Sequence, residues 1–91
     1  MGQSIVSEAV PNPANETVNF NITSSRENVE VQIFDMLGNL VNRFNSDLTI
    51  GTSIVSWNTN DASGKPVATG VYNVRLTVGS DIINRNVVVA R

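Results

Sequence analysis

The side chains that could do chemistry in this 91-residue chain are carboxylates, hydroxyls and amides. The sequence contains no histidine and no cysteine. It therefore lacks the residue most used for proton transfer near neutral pH, and it lacks the thiolate that serves as nucleophile or metal ligand. A conventional triad of serine, histidine and aspartate cannot be assembled either. We predict that the protein is not an enzyme and that it binds no cofactor.

The densest oxygen-rich stretch is NTNDASG, residues 58–64. Its oxygens suit Ca²⁺, but it lacks the acidic density and the closing glutamate of a calcium loop. Aspartate is also typical of turns, where its carboxylate accepts hydrogen bonds from backbone N–H groups ahead of it. We predict this turn role, and no metal site, for Asp35, Asp47, Asp61 and Asp81.

Trp57 and Tyr72 form the one aromatic pair that could stack on a sugar ring. Each lies within a predicted strand, at a position expected to face the interior. We therefore interpret both rings as core residues and keep carbohydrate binding as the less favoured alternative.

Charge and hydropathy exclude two further classes of partner. The six basic residues are scattered and the net charge is −2, so no cationic stripe is available for nucleic acid. The longest uninterrupted apolar run is Val87 to Ala90, whereas a membrane-spanning helix needs about 20 residues. We predict no nucleic-acid binding and no membrane span.

Period-two alternation of apolar and polar residues, without a helical stripe, predicts an all-β protein that must position these side chains. Its length fits a single domain over residues 1–91, with residues 1–2 expected as an added leader. About seven antiparallel strands with frequent turns favour an immunoglobulin-like β-sandwich over a barrel. The predicted strands are 4–10, 17–22, 29–34, 40–44, 53–58, 71–78 and 82–90.

The connections between these strands carry further expectations. The strands 17–22 and 29–34 are expected to be neighbours, joined by the polar turn SSREN. The stretch DMLGN, residues 35–39, predicts a hairpin in which Gly38 has a positive φ. Residues 45–51 are expected to be a looser connection, and residues 59–70 are long enough to cross between sheets. The predicted core contains Phe20, Ile33, Trp57, Tyr72, Val74 and Leu76.

Four segments together resemble the C-terminal sorting domain of proteins exported by the Bacteroidetes type IX secretion system. They are PNPANETVNFNI, VQIFDMLGNLV, WNTNDASGKPVATGVYNVRL and NRNVVVAR. The same run is similar to the immunoglobulin-like domain of flagellar hook-capping proteins. The resemblance covers nearly the whole chain.

This resemblance implies a recognition domain without chemistry of its own. The domain would follow an N-terminal cargo domain and act as a monomer. It would be bound by the type IX translocon and the cell-surface attachment machinery, so the parent protein would pass the periplasm and outer membrane and be secreted or held at the cell surface. The implied recognition residues lie in the terminal strand and the turn before strand 71–78: Gly70, Tyr72, Val87, Val88, Val89 and Arg91. The alternative is a structural spacer or accessory module of an extracellular enzyme.

Overall fold

The computed structural model describes residues 5–7, 16–24 and 28–90, and this part of the chain forms seven strands and no helix. Each long strand alternates apolar and polar residues, which places one face in the interior and one in solvent. The strands are β1 (Ile5–Val6), β2 (Val18–Ser24), β3 (Asn28–Phe34), β4 (Leu40–Asp47), β5 (Gly51–Trp57), β6 (Gly70–Val78) and β7 (Asp81–Val89).

The strands form two antiparallel sheets, with the orders β1-β2-β5 and β4-β3-β6-β7. The predicted all-β sandwich is confirmed. The prediction that β2 and β3 are neighbours is wrong, because β2 pairs with β1 and β5 while β3 pairs with β4 and β6. Period-two alternation shows which face of a strand is buried, but it does not show which strand lies beside it.

One hydrophobic core lies between the two sheets. Phe20 and Trp57 enter it from the three-stranded sheet, and Ile33, Val74 and Leu76 enter it from the four-stranded sheet. All six side chains predicted for the core are buried: Phe20, Ile33, Trp57, Tyr72, Val74 and Leu76.

The predicted hairpin at residues 35–39 joins β3 to β4, and Gly38 has a φ of 87°. A register shift between Ile33 and Phe34 marks a bulge beside the turn. The following connection is shorter than expected, because β4 ends at Asp47 and β5 begins at Gly51. The buried side chain of Leu48 anchors that short connection to the core.

The segment 58–69 connects β5 in one sheet to β6 in the other, as predicted. Thr59 begins this crossing with a φ of 57° and is fully buried. Its hydroxyl lies 2.7 Å from the carbonyl of Glu16, and its own carbonyl accepts a hydrogen bond from Val67 N–H. A β-branched residue rarely adopts positive φ, so these contacts must hold Thr59 in place.

Arg85 joins the first strand to the last across the sandwich. Its side chain lies on the face of β7 that also carries Ile83 and the buried Val87. The guanidinium donates through Nη2 to the carbonyl of Val6 at 2.7 Å and through Nε to the carbonyl of Ser7 at 3.2 Å. The two sheets are therefore tied by polar contacts at this flank as well as by the core.

Candidate recognition site

The β6–β7 hairpin brings five of the six predicted recognition residues together. Gly70 pairs with Val89 and Tyr72 pairs with Val87. Val88 lies between Val87 and Val89 on β7. The sixth residue, Arg91, lies outside the described residues. The predicted set is thus contiguous at the open end of one hairpin, opposite its turn at residues 79–80.

The side chains of this set point to opposite faces of the sheet. Val87 and Val89 are fully buried, and Tyr72 is nearly so. Val88 is 39% exposed and lies opposite the similarly exposed Val71. A partner that approaches the solvent-facing side of the folded hairpin meets Val71 and Val88. The buried residues on the opposite side fix the position of β7 against the core.

Tyr72 also connects the hairpin to the crossing segment. Its hydroxyl donates to the carbonyl of Ala68 at 2.6 Å, and its ring packs edge-to-face on Trp57 with 5.8 Å between centroids. Trp57 in turn donates from Nε1 to the carbonyl of Asn60. Because both rings are buried and their polar atoms are bonded, the core interpretation of Trp57 and Tyr72 is confirmed.

Gly70 has a different role from the one expected of a turn glycine. Its φ is not positive, and an added Cβ would only contact the Tyr72 ring at 3.9 Å. Among the glycines of the crossing segment and the start of β6, it is Gly64, with a φ of 89°, that has a positive φ. The sequence reasoning missed this distinction, because residue type does not reveal which glycine needs left-handed backbone.

Two loops at this end of the sandwich share one architecture. In residues 35–39 and 61–65, the aspartate Oδ1 accepts N–H groups two and four residues ahead, at 2.9 to 3.0 Å. In each loop the aspartate N–H donates to the carbonyl of the fifth residue, and the glycine N–H donates to the aspartate carbonyl. The signal was present in the sequence as D-x-x-G twice, in DMLGN and DASGK.

The hydrogen bonds in these loops determine the electrostatics of both carboxylates. The backbone N–H of Asn39 is the main cause that lowers the pKa of Asp35, and the Ser63 hydroxyl is the main cause that lowers the pKa of Asp61. Their predicted turn role is confirmed. Asp47 and Asp81 instead lie at strand ends, as the last residue of β4 and the first of β7.

Two shallow clefts lie beside these elements. One, of about 390 Å³, lies between the two aspartate loops and includes Asp35, Asp61 and Tyr72 in its wall. The other, of about 480 Å³, runs between β4 and β5 beside Phe44 and Trp57. No group of three or more metal-ligating side chains occurs in the described part of the chain.

Residues 5–7, 16–24 and 28–90 contain no helix that is long and apolar enough to cross a membrane.

Solved structures with a similar sandwich include PorU, PorZ and FlgD. PorU of Porphyromonas gingivalis, in a dimeric latent form, gives a TM-score of 0.73 at 24% identity over 99% of this chain and 10% of PorU. PorZ, a surface component of the type IX secretion system of P. gingivalis, gives 0.58 at 25% identity over 97% of this chain and 11% of PorZ. FlgD of P. aeruginosa gives 0.56 at 21% identity over 97% of this chain and 72% of that chain.

The PorU and FlgD similarities establish the fold, and this chain spans about a tenth of the length of the PorU and PorZ chains. A comparison with curated proteins finds no match. The family model described as the secretion system C-terminal sorting domain matches residues 8–90, which is nearly the whole sequence. The chain therefore belongs to the family of secretion system C-terminal sorting domains.

Proposed function

We propose that this domain is the sorting signal of a larger exported protein and is recognised by the outer-membrane translocon of a type IX secretion system. The family match over residues 8–90 carries this proposal. The structural similarity to PorZ, itself a component of a type IX system, supports the choice of secretion route. The parent protein would be secreted or held at the cell surface, with its activity in the N-terminal cargo.

The domain would act by recognition alone, without catalysis. The nine-residue register between β6 and β7 holds the end of the hairpin in a single position, with Val71 and Val88 on the outer face. Among the described residues, β7 is the last strand of its sheet. We propose that the translocon recognises this end of the hairpin together with the chain after Val89, which includes Arg91. Tyr72, Val87 and Val89 would act as positioning residues beneath that surface.

A reporter fusion tests the proposed function directly. Residues 3–91 are fused to the C-terminus of an inert reporter that already carries a signal for export to the periplasm, in cells with a working type IX system. We expect the reporter to reach the cell surface or the medium, measured by protease accessibility of intact cells. The control is the same fusion in a strain whose type IX translocon is inactivated. Retention of the reporter in the periplasm of the competent strain would refute the sorting function.

A second experiment separates recognition of the terminal strand from folding. Deletion of residues 90–91, or the substitution Arg91→Glu, leaves the β6–β7 register intact because that register ends at Val89. We expect surface display to fall while the melting temperature of the isolated domain stays nearly constant. Unaltered display of both variants would exclude the terminal-strand mechanism and would favour the spacer interpretation.

A further inference from the structure

The β3–β4 hairpin exposes an unusual amount of apolar surface at its tip. The side chain of Leu37 is 87% exposed, that of Met36 is 78% exposed and that of Leu40 is 52% exposed. Phe34 pairs with Leu40 across the hairpin, and the exposed Val71 lies two residues before Asn73, the partner of Phe34 on β6. We call Phe34, Met36, Leu37, Leu40 and Val71 the tip surface. Phe34 is its half-buried member, with the Arg75 guanidinium carbon 5.1 Å from the centroid of its ring. Contiguous exposed apolar side chains of this kind mark interaction sites on soluble domains.

The fold itself does not require apolar residues at the tip. The loop at residues 61–65 has the same hydrogen bonds from backbone N–H groups and the same positive-φ glycine, yet Ala62 and Ser63 occupy the positions of Met36 and Leu37. The Ser63 hydroxyl adds a hydrogen bond of 2.7 Å to the Asp61 carboxylate. The 61–65 loop therefore shows that this turn can form with small or polar residues at its second and third positions. The turn therefore does not explain why residues 36 and 37 are large and apolar.

The tip is also held in a fixed shape. The carboxylate of Asp35 accepts hydrogen bonds from the N–H groups of Leu37 and Asn39 and from the Asn39 side chain, at 2.9 to 3.2 Å. The Gly38 N–H donates to the Asp35 carbonyl at 3.1 Å. A preorganised loop loses little conformational entropy when its exposed side chains bind, so it suits a specific pocket.

The charge at the base of the tip indicates what kind of partner fits. The hydrogen bonds to the Asp35 carboxylate come from neutral amides: the N–H groups of Leu37 and Asn39 and the Asn39 side chain. Insertion into lipid would carry this carboxylate towards hydrocarbon, which is costly, and a few apolar side chains give only marginal membrane binding. A protein pocket can surround the apolar side chains and place a basic side chain against the carboxylate.

We infer that the tip surface docks into an apolar pocket, rimmed by basic side chains, on a protein component of the export machinery. This inference rests on the proposed function and gives the domain a second contact, built on β3 and β4 and separate in sequence from the β7 terminus. Buried apolar anchors dominate the affinity of most protein interfaces, so Met36 and Leu37 are the residues that carry this contact.

The test replaces Met36 and Leu37 by the residue types found at the equivalent positions of the 61–65 loop. Met36→Ala with Leu37→Ser gives the 35–39 loop the two side chains found at residues 62–63. We expect surface display of the reporter fusion to fall about tenfold or more, with no loss of melting temperature because both replaced side chains are exposed. The matched control is Ile50→Ser with Ile54→Ser, which removes two side chains that are 77% and 68% exposed elsewhere on the domain. We expect the control to retain display.

Competition shows whether the tip binds a saturable protein site. The unfused 91-residue chain, co-produced in the periplasm, should reduce display of the wild-type fusion, whereas the same chain with the altered tip should compete much less. If the double variant loses its fold, Leu37→Asn alone is measured in the same assays, since it changes one exposed side chain.

The outcomes are distinguishable from failure of the proposed function. If the wild-type fusion itself stays in the periplasm, the sorting function fails and this inference falls with it. If the wild-type is displayed and the tip variant matches the Ile50 and Ile54 control, the inference is wrong while the function stands.

Tip-dependent sedimentation of the chain with vesicles of phosphatidylethanolamine and phosphatidylglycerol would identify lipid as the occupant. Tip-dependent dimerisation in light scattering would identify a second copy. Either result would overturn the proposal of a protein pocket.

Discussion

At the scale of single residues, two aspartates and two glycines determine the shape of the end of the domain that carries the tip surface. Asp35 and Asp61 satisfy the N–H groups of their loops, and Gly38 and Gly64 provide the backbone conformation that closes each loop. Hydrogen bonds to an ionised carboxylate favour its charged form. The same contacts therefore set the loop geometry and the titration of both carboxylates.

The substitution Gly38→Ala should destabilise the domain by about 1 kcal/mol or more. An added Cβ would meet no atom within 4 Å, so the cost comes from holding alanine at a φ of 87°. Gly70→Ala is the matched control, because Gly70 has no positive φ and its Cβ would make an ordinary contact of 3.9 Å. We expect that control to stay within about 0.5 kcal/mol of wild type. Urea denaturation measures both, and equal losses would contradict the turn assignment.

Acid should remove the contribution of the two loop carboxylates to stability. The folded-state pKa values of Asp35 and Asp61 lie below the ordinary value of 3.8. Stabilisation by these groups is therefore fully present above that value and is lost as the pH falls through the lower, folded-state values. Between about pH 4 and pH 2, we expect the melting temperature of the wild type to fall more steeply than that of Asp35→Asn with Asp61→Asn. Parallel curves for the two proteins would refute this linkage.

At the scale of strands and connections, the sequence predicts which residues are strands far better than it predicts which strands pair. Alternation identified β2, β3, β6 and β7, and the core residues predicted on β2, β3 and β6 are buried. A short turn between consecutive strands suggested that β2 and β3 pair, although a chain can equally pass from one sheet to the other there. The β6–β7 pairing was predictable because a two-residue turn reverses the chain and places the two strands side by side as a hairpin.

In the candidate site too, the sequence predicts some features and not others. Alternation along β7 explains why Val87 and Val89 are buried while Val88 is exposed. The tip surface was not predicted, because a turn motif shows that residues 36 and 37 lie at the surface without showing that the rest of the fold leaves them uncovered. The buried Thr59 was missed because nothing in its residue type indicates a positive φ.

Arg85→Met should release β1 while leaving the rest of the fold in place. Methionine keeps an apolar stem on β7 but removes the hydrogen bonds to the carbonyls of Val6 and Ser7. We expect a loss of about 1–2 kcal/mol. Amide hydrogen exchange locates the effect. The Ser7 N–H, which donates to the Asn21 carbonyl, should lose protection. The Val31 N–H in the four-stranded sheet should lose no more protection than the fall in the free energy of global unfolding accounts for. Unchanged protection at Ser7 would show that the β1–β2 pairing alone holds the first strand.

At the scale of the whole molecule, the two sheets share one hydrophobic core. The single tryptophan lies in that shared core, 1% exposed, and contacts Tyr72 from the opposite sheet. The fluorescence of Trp57 therefore reports directly on whether the sheets remain packed together.

Unfolding should be a single transition in which both sheets are lost together. We expect the change in Trp57 fluorescence and the loss of the far-ultraviolet β signal to give the same midpoint in urea, as in other small single domains. Trp57→Phe provides a reference protein for the ultraviolet signal alone. A fluorescence midpoint well below the ultraviolet midpoint would mean that the sheets separate before either one unfolds.

The contact between Arg85 and β1 also has a mechanical consequence. β1 pairs with β2 over two residue pairs, whereas the β6–β7 hairpin has nine. Tension transmitted into the domain through the chain before Ile5 reaches the two-pair ladder and the Arg85 hydrogen bonds first. We expect these few contacts to yield before the nine-pair hairpin, which would stay in register and remain available to whatever holds it.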